Sequence, residues 1–470
     1  MGLVILGGMV VTPGGVVAGG LRVDGGVLRE IGPDVTAAPG DQVVDAGGCH
    51  VLPGGVDPHC HVMADPAAAS QAAAMGGTTT ILSFSSPEHG EGPSSALRRA
   101  RDVVAGGASA VDVGLHAACY GPDELLEDEV AELVALGADA LKVFLAYPEL
   151  GIMASGLGLY RAMRFAARAG LRVQVHCEDG ELIEALVEEA AAAGRRSLRT
   201  FAEVRPAVAE ELAVARALAF AALTGADCYL PHLSTGGALE AVRALRAAAG
   251  ATAGGGDAGG GRAAPTGGRV TAEACIHHVV LDEGAYGTPA GEDWLVAPPL
   301  RSASDVAAVG AALADGTVDT VGSDHSQDPT AVDLRISSSA GSCYGIAGIG
   351  ARLPVLLTWG AGAGVPIERL VQLLSSGPAD AFGYPSKGRL EPGSDGDVVV
   401  WDASERSVLD PVTGPDGSER SRSAGWSPYA GWELAGRVRF VCARGVPLVV
   451  EGAWVGPGDG GQLIEPSRST

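Results

Sequence analysis

The chain has 470 residues and a formal net charge of −24, and its lysines and arginines form no block anywhere. This charge argues against a surface that follows nucleic acid or an anionic membrane. No uninterrupted apolar run reaches the length of about 18 residues that a transmembrane helix needs. The apolar start, Met1–Gly8, has no basic segment before it and therefore indicates a strand rather than a signal peptide.

Cysteine usage indicates the compartment. The eight cysteines are scattered along the chain, and none belongs to a Cys-x-x-Cys pair. In a chain of this length such a pattern is typical of reduced, mostly buried thiols. We therefore expect a cytoplasmic protein, without a nucleic-acid or membrane partner.

Both ends of the chain consist of short β-type runs separated by glycine turns. Turn signals recur at short intervals through residues 1–50, and the same texture returns after residue 385. We predict that 1–50 and 385–455 fold together as one small β-sandwich domain, which is discontinuous in sequence. Residues 456–470 are expected to form a tail.

Between these ends, residues 51–384 alternate apolar β runs with segments of helical periodicity. Eight alternations of this kind predict an α/β fold, a closed parallel (β/α)8 TIM barrel. The β runs are 51–56, 79–84, 111–119, 140–146, 171–177, 227–233, 270–276 and 318–323. Residues 250–268 interrupt the pattern with a glycine-rich, low-complexity stretch that is typical of a surface insertion, with a lid as the alternative.

Residues with metal-ligand chemistry follow or lie in five of the eight β runs. His59 and His61 are two residues apart in an extended segment, so both imidazoles point to the same face. The others are a lysine within an apolar run, two strand-end histidines and a strand-end aspartate: Lys142, His176, His232 and Asp324. Each has an ordinary alternative, such as a buried core histidine, a helix N-cap or a lysine that extends to the rim. Their joint placement at one end of a barrel favours a metal site.

These residues, in this order, resemble the binuclear centre of the amidohydrolase superfamily and specifically its cyclic amidohydrolases, which include dihydropyrimidinase, hydantoinase, allantoinase and dihydroorotase. The resemblance extends over nearly the whole chain. The stretches that carry it are Pro53–His61, Gly76–Thr79, Thr271–Cys275, Pro298–Arg301, Gly316–His325 and Gly393–Asp397.

The resemblance implies two Zn²⁺ ions per chain, with Mn²⁺ or Co²⁺ as alternatives. It places His59, His61 and Asp324 on the more buried ion and His176 and His232 on the more exposed one. It also implies that Lys142 is N6-carboxylated and bridges both ions. A small cyclic amide substrate and a homotetramer or homodimer are further implications of the resemblance.

The resemblance also implies roles in the reaction. Asp324 would act as general base and then as general acid. Tyr147 matches a tyrosine that donates a hydrogen bond to the developing oxyanion in dihydropyrimidinases and hydantoinases. The positions of Ala297 and Ala347 correspond to residues that hold the substrate through backbone atoms.

Some departures from the family pattern leave the substrate open. Met63 stands where dihydroorotases carry an arginine, and Tyr147 is a residue that allantoinases generally lack. Both observations favour a dihydropyrimidine or hydantoin ring. The loop after His61 is shorter than in those enzymes, and Ala297 and Ala347 replace a serine and an asparagine. An allantoinase or dihydroorotase activity, a biosynthetic cyclase and a non-catalytic dihydropyrimidinase-like scaffold therefore stay as alternatives.

Overall fold

The computed structural model describes residues 2–88, 90–252, 268–326, 330–331, 335–336, 343–409 and 427–468. The chain forms two compact units. Unit 1 comprises Met1–Leu82, Val103–Gly114 and Ala347–Ser469, and unit 2 comprises Ser83–Asp102 and Leu115–Ile346. Most of the predicted insertion at 250–268 lies outside the described residues.

The strands, numbered in chain order, follow one another without intervening helices near both ends of the chain and alternate with helices between them. They are β1 Leu3–Thr12, β2 Gly15–Asp24, β3 Val27–Gly32, β4 Gln42–Asp45, β5 His50–Pro53, β6 Gly55–His61, β7 Thr78–Ser85, β8 Asp112–Ala118, β9 Ala140–Phe144, β10 Arg172–His176, β11 Cys228–Leu230, β12 Val270–Cys275, β13 Thr320–Gly322, β14 His325–Ser326, β15 Thr330–Ala331, β16 Cys343–Tyr344, β17 Val398–Asp402, β18 Ser407–Val408, β19 Glu433–Leu434, β20 Arg437–Ala443, β21 Val446–Val450 and β22 Ala453–Trp454.

The α-helices fall mainly between the central strands. They are α1 Pro66–Met75, α2 Pro93–Ala105, α3 Glu127–Ala135, α4 Gly156–Ala169, α5 Gly180–Ala192, α6 Leu198–Glu203, α7 Ala207–Thr224, α8 Gly236–Thr252, α9 Ile276–Val280, α10 Ala303–Asp315, α11 Arg352–Ala363, α12 Ile367–Val371 and α13 Gly377–Phe382. Side-chain caps begin several of them. Asp65 accepts from the backbone of Ala68, Asp179 from Leu182 and Ser302 from Asp305, which satisfies helix N–H groups that would otherwise lack partners.

In unit 1, strands from both ends of the chain share one sheet, in the order β22-β21-β20-β17-β5-β1-β2-β3, with β4 also paired to β1. The pair β1/β2 is antiparallel with Leu3 opposite Val23, and β17/β5 is antiparallel with Val398 opposite Pro53. Apolar side chains from both termini form one buried cluster, which includes Ile5, Leu21, Val51, Val398 and Phe440. The termini therefore fold together, as the sequence predicts.

The second sheet takes its strands from β6 to β13 in chain order. In unit 2, β8 to β13 pair in parallel, and the register places Lys142 beside Gln174 and Gln174 beside Tyr229. Strands β7 to β9, β11 and β12 are buried along their whole length because helices follow them in the chain. This is the strand order of the predicted (β/α)8 barrel.

The first predicted barrel strand, 51–56, is displaced in the structure. His50–Pro53 belongs to the terminal sheet as β5, and the barrel strand β6 runs from Gly55 to His61. Gly54 separates them, and a Cβ atom there would lie 2.0 Å from the hydroxyl oxygen of Thr79. Because only glycine tolerates this approach, one apolar run is divided between two sheets.

The C-terminal residues are better ordered than a free tail. The N–H of Val113 donates to the carbonyl of Gln462 at 2.8 Å, and the N–H of Ile464 donates to Val113 at 2.9 Å. The domain boundaries at 50, 385 and 455 stay predictions. Within the part of the chain that the structure describes, no helix combines the length and apolarity needed to cross a membrane.

Candidate metal centre

In unit 1, strand β6 carries His59 and His61 on one face, with 5.7 Å between the ring centroids. Asp57 lies on the same face and is fully buried. Its carboxylate accepts a hydrogen bond from the backbone of His59 at 3.3 Å and is 3.7 Å from the guanidinium of Arg352. The contacts of Asp57 with the His59 backbone and with Arg352 therefore fix β6 close to the two histidines.

In unit 2, Lys142 lies in the middle of β9 and is 1% exposed. Its Nζ is 5.1 Å from the ring centroid of Phe84 and 5.4 Å from that of Phe144. This nitrogen makes no hydrogen bond or salt bridge with any residue that the structure describes. Burial lowers the pKa of Lys142 to about 8, against the opposing attraction of Asp324 and Glu273. The neutral amine is therefore more populated near physiological pH than that of an exposed lysine, whose pKa is 10.5.

His176 and His232 bring two ring nitrogens together in unit 2. Nδ1 of His176 is 3.1 Å from Nε2 of His232, and both side chains are buried. Burial lowers the pKa of His176, and the hydrogen bond from its ring to Glu178 opposes this shift. Two neutral imidazole nitrogens that face each other at this distance form a donor set suited to a divalent transition-metal ion.

Backbone strain marks the same region. The residues other than glycine with positive φ in the described chain are Tyr147 (67°), His232 (45°), Asp324 (48°), Arg444 (47°) and Glu451 (49°). The first three are residues that the sequence predicts for the site. Such conformations cost free energy and persist where the surrounding structure requires a particular side-chain direction.

Asp324 lies two residues after the end of β13 and is 8% exposed. The negative charge of Asp324 opposes the lowering of the Lys142 pKa by burial. The next residue, His325, donates its backbone N–H to the hydroxyl of Ser323 at 3.0 Å, and burial lowers its side-chain pKa to about 4. Asp324 is thus held in a short turn between β13 and β14.

Tyr147 is partly buried and packs against His176, with 4.9 Å between the ring centroids. The guanidinium carbon of Arg205 is 5.3 Å from the Tyr147 ring centroid. Ala297 and Ala347 are buried residues of units 2 and 1, respectively. Their contact with a substrate stays a prediction.

Three buried charged residues of this region were not predicted from sequence. Glu178 contacts His176, Arg205 contacts Glu178, and Glu273 accepts hydrogen bonds from the Tyr229 hydroxyl at 2.6 Å and the His232 backbone at 3.2 Å. Burial raises the pKa of Glu273 to about 8. Two of them had a usable signal. Glu178 is two residues after His176, and Glu273 lies in one of the stretches that carry the family resemblance.

Comparisons with known proteins show which family this chain belongs to. Residues 50–446 match the model of the amidohydrolase family. The chain is 31% identical to a D-hydantoinase of Ralstonia pickettii, with 99% of each chain covered, and 34% identical to an allantoinase of Deinococcus radiodurans, with 99% and 98% covered. The crystal structure of a dihydropyrimidinase from Brevibacillus agri superposes with a TM-score of 0.87 at 28% identity, covering 99% of each chain.

The family match spans more than half of the chain and includes the strands that carry the candidate ligands. The structural similarity over both whole chains confirms the predicted barrel with an additional strand-rich domain. This chain therefore belongs to the amidohydrolase family.

Proposed function

We propose that this protein is a binuclear-metal hydrolase that opens a small cyclic amide or imide, of the dihydropyrimidine or hydantoin type. The observation that carries the proposal is the buried pair of His176 and His232, 3.1 Å apart, in the same unit as the uncompensated buried Lys142. Relatives named D-hydantoinase and dihydropyrimidinase cover the whole chain and support this substrate class.

The donor set fits two divalent ions. We propose that they are Zn²⁺, with Mn²⁺ or Co²⁺ as alternatives, and that the ligands are His59, His61, Lys142, His176, His232 and Asp324. Neutral imidazoles and carboxylates are the ligands that these ions prefer. When bound, the ions supply an activated hydroxide near neutral pH and polarise the scissile carbonyl.

Lys142 becomes a ligand only after carboxylation of its amine. The ammonium first releases a proton to solvent; the neutral amine then forms a bond to the carbon of carbon dioxide and releases a second proton, which leaves a carbamate anion. The lowered pKa of Lys142 supports this step, because burial favours the neutral amine. The carbamate has two oxygens, so one side chain can bridge two ions.

Asp324 and Tyr147 complete the chemistry. Asp324 accepts the proton released as the attacking oxygen adds to the ring carbonyl carbon, and it returns that proton to the leaving ring nitrogen. The C–N bond breaks and one water molecule is consumed. The Tyr147 hydroxyl donates to the carbonyl oxygen as negative charge develops there. Ala297 and Ala347 would contact the ring through backbone atoms.

Allantoin hydrolysis is the second candidate activity, because a relative named allantoinase is 34% identical over nearly the whole chain. Tyr147 favours the hydantoin and dihydropyrimidine rings, and the short loop after His61 leaves allantoin open. We also propose a homotetramer or homodimer located in the cytoplasm.

The test is a hydrolysis panel with protein loaded with zinc and bicarbonate, on dihydrouracil, 5-substituted hydantoins, allantoin and dihydroorotate. We expect about two metal ions per chain and activity on dihydrouracil or a hydantoin. His176→Asn should lose both metal and activity, whereas His50→Asn, a matched change in the terminal sheet, should retain them. If the wild-type protein bound no metal, the proposal that it is a metal-dependent hydrolase would be refuted. Two bound ions without activity on any of the four rings would reject these substrates.

A further inference from the structure

A chain of buried charges adjoins the candidate ligands in unit 2. Glu178 is fully buried and its Oε2 is 2.9 Å from Nε2 of His176. The same oxygen accepts a hydrogen bond from Nη1 of Arg205 at 2.7 Å, and Arg205 is 3% exposed. We propose that Glu178 and Arg205 are a positioning pair that sets the tautomer of His176 and orients Tyr147. This inference rests on the proposed function, because it assigns His176 as a ligand and Tyr147 as the oxyanion donor.

The first step is the tautomer. An ionised carboxylate only accepts hydrogen bonds, so Nε2 of His176 must carry the proton that it donates to Glu178. In the neutral ring this leaves the lone pair on Nδ1, which is the atom 3.1 Å from His232. Glu178 therefore selects the ring form whose free lone pair lies where a cation shared with His232 would be held.

The second step is the charge of Glu178. Nη1 of Arg205 donates to Oε2 of Glu178 at 2.7 Å, and the two side chains form an ion pair that is almost completely buried. A guanidinium in direct contact favours the ionised carboxylate, which only accepts hydrogen bonds. Without this cation, a protonated or neutral partner could present a donor to Nε2 and select the opposite tautomer, with the proton on Nδ1.

Arg205 also contacts the predicted oxyanion donor. Its guanidinium carbon is 5.3 Å from the Tyr147 ring centroid and 5.4 Å from that of Phe201. A guanidinium at this distance attracts the aromatic ring and limits its rotation. Tyr147 is held in addition against His176, 4.9 Å between ring centroids. Arg205 therefore contacts both Glu178, which orients the proposed ligand His176, and Tyr147, the proposed oxyanion donor.

Arg205 is itself fixed by a second buried pair. Arg301 donates to the backbone carbonyl of Arg205, and its Nη2 is 3.2 Å from the carboxylate of Glu210. Glu210 accepts from the backbone of Ser234 at 2.8 Å, two residues after His232. The pair is thus connected to the segments that carry both histidines, which explains how the ring nitrogens are kept facing each other.

The decisive variant is Glu178→Gln, which keeps the side-chain shape but can donate from its amide. We expect the His176 ring to change tautomer in the metal-free protein, seen in ¹⁵N spectra of histidine-labelled protein. We expect metal affinity to fall about 10- to 100-fold. The matched control is Glu203→Gln, which removes an exposed pair with Arg195, 54% and 49% exposed, and should change neither. An unchanged His176 tautomer with wild-type metal affinity in Glu178→Gln would overturn the proposal.

A second variant guards against misfolding, since Glu178→Gln leaves Arg205 buried without its carboxylate. The double variant Glu178→Gln/Arg205→Met removes both charges, a change that buried pairs often tolerate. We expect it to fold and to show the loss of metal affinity, with a lowered kcat. Wild-type kcat and metal content in the folded double variant would overturn the proposal. Failure of the proposed function is distinguishable, because it would appear in the wild-type protein as absent metal and activity.

Discussion

The two units each contain a buried lysine, and the two residues have opposite surroundings. Lys142 of unit 2 is 1% exposed and Lys387 of unit 1 is 2% exposed. Nζ of Lys387 lies 2.5, 2.7 and 3.0 Å from carboxylates of Asp112, Asp395 and Asp397. Nζ of Lys142 faces two aromatic rings and has no such partner among the described residues.

This difference changes the direction of the pKa shift at nearly equal burial. The three carboxylates raise the pKa of Lys387 despite its burial, whereas burial prevails at Lys142 and lowers its pKa. Burial thus penalises both ammonium groups, and local counter-charge decides which of them stays protonated. We therefore expect Lys387 to contribute to stability, and we propose that Lys142 takes part in the chemistry.

The largest expected effect is on catalysis, from Lys142→Met. The substitution preserves volume but removes the amine that we propose is carboxylated, so we expect activity to fall by a factor on the order of 1000 or more. About one metal ion per chain should be lost. In metal-free protein the free energy of unfolding should not decrease, because the substitution removes the desolvation penalty of a buried ammonium that no salt bridge with a described residue offsets. Assays, metal analysis and urea unfolding measure these quantities, and full activity without an added short carboxylic acid would contradict the bridging role.

The same substitution at the other lysine should affect stability instead. Lys387→Met leaves Asp112, Asp395 and Asp397 close together without this cation, so we expect the free energy of unfolding to fall by about 3 to 5 kcal/mol. The metal content and kcat of the folded fraction should stay at wild-type values. If Lys387→Met reduced kcat while leaving stability unchanged, the assignment of stability to Lys387 and catalysis to Lys142 would be wrong.

The pH dependence of stability sharpens the comparison in metal-free, bicarbonate-free protein. Between the folded pKa of Lys142, about 8, and its ordinary value of 10.5, the unfolded chain binds a proton that the folded chain does not, so stability gains from Lys142 as the pH rises. The contribution of Lys387 is fully present below its ordinary pKa and is lost only as the pH rises through its raised folded pKa.

Urea unfolding across this window should therefore show a changing difference in stability between wild type and Lys142→Met. The difference between wild type and Lys387→Met should stay nearly constant over the same pH values. A constant difference for both variants would mean that the Lys142 amine keeps its ordinary pKa in the folded protein.

The smallest effect is expected at an exposed pair, which serves as the reference for both lysines. Nη1 of Arg168 lies 3.0 Å from Oε1 of Glu127, and the two side chains are 52% and 47% exposed. Glu127→Gln should change the free energy of unfolding by less than about 0.5 kcal/mol, because solvent and salt screen such pairs. A loss of several kcal/mol here would show that ion pairs in this protein cannot be ranked by burial.

Short-range patterns in the sequence predict part of the structure. The i, i+2 spacing of His59 and His61 determines that both point to one face of a strand, and the alternation of β runs with helical segments predicts the barrel order. The sequence does not predict the break between β5 and β6 at Gly54, because the apolar run around Gly54 is continuous. The close approach of Thr79 to Gly54 is visible only in the folded structure. The C-terminal segment likewise depends on a partner that is distant in sequence, because Gln462 and Ile464 make backbone hydrogen bonds with Val113.

The sequence by itself determined the fold class, the family and the residue types available for a metal centre, since these follow from local periodicity and motif spacing. Only the tertiary structure decided how the charged groups are paired. Arg205 is 27 residues from Glu178, and Lys387 is 275 residues from Asp112. Burial and counter-charge are properties of the folded surroundings, so only folding gave the two lysines opposite pKa shifts.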